Sequence, residues 1–173
     1  EIQAVIDTPL QIDSSNIEAL EDGLRYYNGK TIANSVNGKE ESMNNIFPIV
    51  KKYGAGMVGL TLDENGIPST AEGRFKIAEK IVNKALEYGI KKENIFIDCL
   101  SLTVSAQQEE ALETLKCIKI VKEKLGVKTI LGVSNISFGV PNRNALNKTY
   151  LNLALYEGLD LPIINPNEEG TME

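Results

Sequence analysis

The 173 residues carry 18 basic and 24 acidic side chains, a formal charge of −6, and are 42% hydrophobic. That composition suits one soluble globular core, and the net acidity argues against a sequence-independent grip on nucleic acid or on an anionic membrane. Histidine is absent, which excludes Ser-His-Asp and Cys-His catalysis, histidine-ligated metals and a histidine general base, and leaves acid–base work to carboxylates, lysines, tyrosines and solvent.

In chain order, Pro9 to Ile12 reads as a short strand ending at Asp13-Ser14-Ser15, and Ser15 or Asn16 can cap a helix through Tyr27 that Asn28-Gly29 closes. Lys30 to Ala33 begins a second strand that delivers Asn34-Ser35. Ser42 to Tyr53 has Met43, Ile46, Phe47, Ile49 and Val50 at helical spacing, and Pro48 within it predicts a late start or a kink. Ala55 to Leu62 is a third strand, followed by the turn Asp63-Glu64-Asn65-Gly66. Ala71 to Tyr88 is the clearest helix, its stripe formed by Phe75, Ile77, Ala78, Ile81, Val82, Ala85 and Leu86.

Asn94 to Ile97 is a fourth strand ending at Asp98-Cys99, and the spacing predicts a helix from Ala106 to Leu125, acidic at its start and lysine-rich at its end. Thr129 to Val133 is a fifth strand that breaks into Ser134-Asn135-Ile136-Ser137; a helix from Arg143 to Tyr156 and a last strand, Leu161 to Ile164, lead to Asn165-Pro166-Asn167. Strands separated by helices require parallel pairing and right-handed crossovers. The choice is then between an open doubly wound sheet and a (β/α)8 TIM barrel. Short strands in regular repeat, without a glycine-rich phosphate loop after the first, favour the barrel. With six strands it would lack two of its eight βα units, mainly before Glu1. A first residue that is not methionine fits a processed product or an excerpt of a longer protein.

The strand ends are Asp13, Asn34, Asp63, Asp98, Ser134 with Asn135, and Asn165. In a barrel they occupy one rim, where active sites are built. Taken singly, each is explained as well by a cap or a turn: Asp13 can cap the next helix, and Asp63 can shape its own turn. Taken together, carboxylates and amides converging on one pocket suit a neutral heterocycle that offers N–H donors and carbonyl acceptors.

The runs PLQIDSS, TIANSVNG, GLTLDENGIP, IFIDCLSL, LGVSNISFGVPNR and IINPN, in that order, resemble the pterin-binding domain of corrinoid-dependent methyltransferases. That family includes the folate-binding module of cobalamin-dependent methionine synthase and the methyltetrahydrofolate:corrinoid iron–sulfur protein methyltransferase. The likeness spans the chain from the third strand of that barrel to the eighth, so it implies an incomplete TIM barrel of the dihydropteroate synthase-like type. One domain over residues 1–173, without the first two strands and the final helix, is expected. By the resemblance, Asp13, Asn34 and Asp98 match residues that hydrogen-bond the pterin ring, and Asp63 falls where an acidic loop follows the next strand. Asn135, with Ser134 beside it, matches the residue near the methyl-bearing nitrogen, and Arg143 an arginine that approaches the folate.

The activity so implied is transfer of the methyl group of methyltetrahydrofolate to a corrinoid cobalt carried by another domain or protein, with Asn135 and Asp98 as its catalytic residues and no metal bound by the chain itself. Dihydropteroate synthase is the alternative, since it shares the barrel and the pterin pocket. Its hallmarks are a glycine-rich loop with a lysine after the later aspartate and a Ser-Arg-Lys turn after the next strand. Here those places read Asp98-Cys99-Leu100-Ser101-Leu102 and Ser134-Asn135-Ile136-Ser137, without the cations a pyrophosphate leaving group requires.

A third reading is a non-catalytic barrel fragment that only binds pterin, its open edges covered by a partner chain or by a second copy in a homodimer. Cys99 and Cys117 are too few for a disulfide framework and match no zinc spacing. Cys117 reads as core, and Cys99 either as core or as a pocket residue. No apolar run approaches the roughly 18 residues of a membrane span and no signal peptide is visible, so a cytoplasmic setting with reduced thiols is expected.

Overall fold

The computed structural model describes residues 2–167. Six strands, β1 (Gln11–Asp13), β2 (Ile32–Asn37), β3 (Gly56–Leu60), β4 (Ile95–Asp98), β5 (Lys128–Gly132) and β6 (Leu161–Ile163), lie side by side in the order in which the chain makes them. Every pairing is parallel. Between them run α1 (Ile17–Tyr26), α2 (Glu40–Tyr53), α3 (Ala71–Glu87), α4 (Glu110–Leu125) and α5 (Arg143–Tyr156). Sequential parallel order with one helix per crossover is barrel topology, and here the barrel is open: among the described residues β1 and β6 each have one neighbour. None of the helices described is long and apolar enough to cross a membrane.

Alternation along each strand divides the sheet into two faces. Ala33, Met57, Ile95, Ile97 and Leu131 join residues of all five helices in one core cluster. Their neighbours Asp13, Asn34, Val58 and Phe96 stand in one row across β1 to β4 on the opposite face. One pleat nearer the rim, Leu60, Asp98, Ile130 and Leu161 form the next row of that face. Helix packing thus orients the site, because burying one side of each strand obliges the residues between to face the inside of the arc.

Several boundaries differ from the expected ones. β2 runs on through Asn37, so Asn34 lies inside the strand; the register shifts between Asn34 and Val36, which returns Val36 to the core and keeps Asn37 opposite Leu60 on the inner face. β3 stops at Leu60, and β5 stops at Gly132, with Val133–Ser137 forming a 3-10 turn. Neither a late start nor a break marks α2 at Pro48. Its lost hydrogen bond costs about 3 kcal/mol, less than the burial of Met43, Ile46, Phe47, Ile49 and Val50 at about 1.5–3 kcal/mol each.

The fourth helix begins at Glu110 rather than Ala106, because the N–H groups of Ala106 and Gln107 turn back to the Thr103 carbonyl. Leu86, expected on the core stripe of α3, is 39% exposed. Gly54 and Gly126 end α2 and α4 at φ values of 64° and 61°, the left-handed region that glycine enters without a Cβ clash.

Candidate functional site

The inner rim begins where β1 meets β2. Asp13 Oδ2 accepts a hydrogen bond from Asn34 Nδ2 at 3.1 Å, and the two residues are direct register partners. They line a cleft of about 340 Å³ together with Ser14, Ser35, Asn37 and Asn45. Asp13 does not cap α1; that position belongs to Asn16, whose side chain accepts from the Ala19 N–H at 2.9 Å. The carboxylate of Asp13 is therefore free of the capping role and points with Asn34 across the sheet face.

Asp98 ends β4, half-buried. Its Oδ1 accepts from the Leu100 N–H at 2.8 Å, in a turn where Leu100 adopts φ 58°, uncommon for a residue with a Cβ. Burial raises the Asp98 carboxyl from 3.8 to about 6, opposed by the Leu100 N–H and by the positive charge of Arg74. A carboxylate so poised sheds its proton more readily when a ligand supplies further N–H donors.

Arg74 is a residue that reading the sequence missed. It is 0% exposed, and its guanidinium gathers the turn that follows Asp98. Nη1 donates to the carbonyls of Cys99 and Leu100, each at 3.0 Å, and to Thr114 Oγ1 at 2.7 Å; Nε donates to the Pro68 carbonyl at 2.8 Å; Nη2 pairs with Glu110 at 2.5 Å. The signal was present: Arg74 occupies an inward position between Ala71 and Ile77, where a charge survives only if every donor finds an acceptor.

The fifth strand delivers the polar turn. Asn135 is exposed, and its amide lies back over Gly132, where an added Cβ would meet Nδ2 at 3.0 Å. Gly132→Ala is expected to push the Asn135 amide off its place and weaken binding of a rim ligand about three- to tenfold, with the melting temperature moved by no more than about 2 °C. Paired calorimetric binding and thermal melts check this, and unchanged affinity would remove Asn135 from the binding surface. Arg143, at the start of α5, donates through Nε to Ser137 Oγ (2.9 Å) and through Nη2 to the Ser134 carbonyl (3.2 Å), and its guanidinium carbon stacks 4.8 Å from the Phe138 ring centre. Ser134, Arg143, Asn147 and Asn165 line a second rim cleft of about 320 Å³.

Asp63 is placed differently. It lies beyond the end of β3 in a turn closed by reciprocal backbone bonds with Gly66, and its carboxylate accepts from the Asn65 N–H at 2.8 Å. Its side chain does the work of the turn, as its DENG setting allows. Cys99 turns away from the inner face into the core, and Cys117 lies beside it; burial and the neighbouring thiol hold Cys99 well above the ordinary thiol range, so it does not serve as a nucleophile near neutral pH. A separate void of about 840 Å³ lies between the starts of α3 and α4, and no strand-end residue lines it.

Methionine synthases of Mycobacterium leprae and Mycobacterium tuberculosis are 35% and 34% identical over 96% and 92% of the chain, which corresponds to 15% and 14% of their own lengths. The methylcorrinoid:tetrahydrofolate methyltransferase of Eubacterium limosum is 27% identical over 99% of the chain and 64% of that enzyme. The chain thus spans about a seventh of the first two relatives and less than two thirds of the third.

Among solved structures, dihydropteroate synthase from Xanthomonas albilineans in complex with 7,8-dihydropteroate superposes with a TM-score of 0.77 at 16% identity, over 99% of the chain and 66% of the synthase. The Stenotrophomonas maltophilia synthase gives 0.73 at 15%, over 92% and 64%. At such identity the likeness establishes the fold, an incomplete barrel of the dihydropteroate synthase-like type. The pterin binding enzyme family matches residues 1–165, which takes in every strand and every rim residue described above, and the chain belongs to that family.

Proposed function

We propose that the chain is one pterin-binding barrel domain that holds methyltetrahydrofolate, or a related methyl-pterin, for transfer of its methyl group to a corrinoid carried by another domain or protein, in the cytoplasm. The observation that carries this reading is the shared face of Asp13, Asn34 and Asp98, with the first two paired at 3.1 Å. Carboxylates accept from the ring and exocyclic N–H groups of a pterin, and the Asn34 amide can both donate and accept. Relatives named as methionine synthase and as a methylcorrinoid:tetrahydrofolate methyltransferase support the methyl-transfer reading.

A methyl group on a tertiary amine leaves only when the nitrogen bears positive character, and the corrinoid, when present, supplies the nucleophile. The chain's own part is to bind and orient the pterin through Asp13, Asn34 and Asp98, and to favour the protonated methyl-bearing nitrogen. Asn135 acts there by orientation and electrostatics, because a neutral amide is a poor acid. Ser134 and Arg143 approach the folate from the end of β5 and the start of α5, and Asp63 supports the rim through its turn. A synthase reading is less well supported: the turn after β4, Cys99-Leu100-Ser101-Leu102, contains no cation for a pyrophosphate.

Calorimetric titration of the chain with 5-methyltetrahydrofolate, set against 7,8-dihydropterin pyrophosphate, tests this directly. Micromolar binding of the methyl donor, weakened at least about tenfold in Asn34→Ala, is expected from the loss of a paired hydrogen-bonding group. Preference for the pyrophosphate would overturn the methyl-transfer reading, and binding of neither would overturn the pocket.

A further inference from the structure

The Asp98 turn is held from β3 as well as from Arg74. Thr61 follows the last residue of β3 and is 0% exposed. Both of its donors go to one acceptor: the N–H reaches the Asp98 carbonyl at 3.1 Å and Oγ1 donates to the same oxygen at 3.0 Å. The N–H alone continues the ladder in which Leu60 pairs with Asp98, so that carbonyl is satisfied without the hydroxyl. A valine of the same shape would fill the position with no hydroxyl to desolvate. The second bond therefore serves something other than the stability of the sheet.

What it holds is the main chain that carries Asp98. Thr61 takes the carbonyl of Asp98, and Arg74 takes those of Cys99 and Leu100, each at 3.0 Å. The C=O and N–H of one planar peptide point opposite ways, so a Cys99 carbonyl turned to Arg74 sends the Leu100 N–H back to Asp98 Oδ1, at 2.8 Å. We infer that Thr61 is a positioning residue for Asp98: its hydroxyl fixes the end of β4 so that one carboxyl oxygen meets Leu100 and the other faces a ligand N–H. The identity of that ligand rests on the methyl-pterin reading, and the positioning rests on the turn itself. Arg74 from α3 is the charged group that faces this carboxyl; its register neighbours Leu60 and Ile130 are apolar, and Cys99 beside it stays a neutral thiol.

Two variants separate positioning from packing. Thr61→Val removes the hydroxyl and keeps the shape, and is expected to melt no lower than wild type. In the free chain its Asp98 carboxyl should titrate higher by about 0.3–1 pH unit, part of what one hydrogen bond to the charged form supplies, because the Leu100 N–H that lowers it is met less of the time. Affinity for 5-methyltetrahydrofolate should fall about three- to tenfold. Thr61→Ser keeps the hydroxyl and loses a buried methyl, so it should melt lower while Asp98 titration and affinity stay at the wild-type values. A residue that mattered only for packing would give the reverse order. Unchanged Asp98 titration in Thr61→Val, read by carbon-detected NMR, or a shift that Thr61→Ser shares, overturns the proposal. Unchanged affinity in Thr61→Val overturns it too when the wild type binds; a wild type that binds no methyl-pterin sinks that reading instead, and the ligand-free titration still decides the role of Thr61. Should Thr61→Val fail to fold, Thr61→Ala set against Thr61→Ser makes the same comparison, since those two differ only in the hydroxyl.

Discussion

Asp98→Asn should lower affinity for a methyl-pterin about a hundredfold while making the chain more stable at neutral pH. The affinity loss follows from exchanging an ionised acceptor for an amide, since hydrogen bonds to charged groups contribute about 1.5–3 kcal/mol each. The stability gain follows from the raised carboxyl, at about 6 against 3.8. Below the lower value both the folded and the unfolded chain hold the proton, and wild type and variant are matched. Between the two values the unfolded chain releases its proton while the folded one keeps it, so wild-type stability falls as pH rises.

Above about 6 the deficit is constant, about 2–3 kcal/mol, or roughly 5–10 °C in melting temperature for a domain of this size. The amide that replaces the Asp98 carboxyl retains an oxygen to accept from the Leu100 N–H and carries no charge to desolvate. Thermal melts from pH 3.5 to 8 should show the two chains diverging through that window. Ligand affinity of wild type should fall below pH 6 as Asp98 protonates. A variant no more stable than wild type at pH 7.5, or one that binds as well, would remove Asp98 from the role given to it.

Loss of Arg74 should be the most damaging single change to the fold. Arg74→Met abandons the Cys99, Leu100 and Pro68 carbonyls and leaves Glu110 without its buried cation. Breaking a buried pair from one side costs about 3–5 kcal/mol, equivalent to roughly 10–15 °C. Arg74→Lys should recover little, because an ammonium cannot reproduce a planar fork that serves Pro68, Leu100 and Glu110 in three directions. The Asp98 carboxyl should also titrate higher in Arg74→Met, since the cation that lowers it is gone. Urea unfolding and carbon-detected titration of Asp98 check the two consequences separately. A stability loss under about 1 kcal/mol would mean that water replaces the guanidinium at the turn.

Much of this was legible because it is local. The βα alternation, the parallel pairing it compels, and the strand-end residues Asp13 and Asp98 all follow from spacing and backbone chemistry over a few residues. Boundaries set by distant partners were not. β2 continues past Asn34 because Val36 and Asn37 find Gly59 and Leu60 on β3, α4 starts late because Thr103 captures two of the N–H groups before it, and Pro48 is carried inside α2 by the burial around it.

By itself, then, the sequence determined the fold class and a rim lined with carboxylates and amides, because periodicity and strand-end composition are properties of adjacent residues. The tertiary structure alone decided which of those polar groups meet. It paired Asp13 with Asn34, turned Asp63 to its own loop and buried Arg74 beneath the Asp98 turn. Such outcomes depend on residues tens of positions apart, brought together by packing, and no local pattern specifies them.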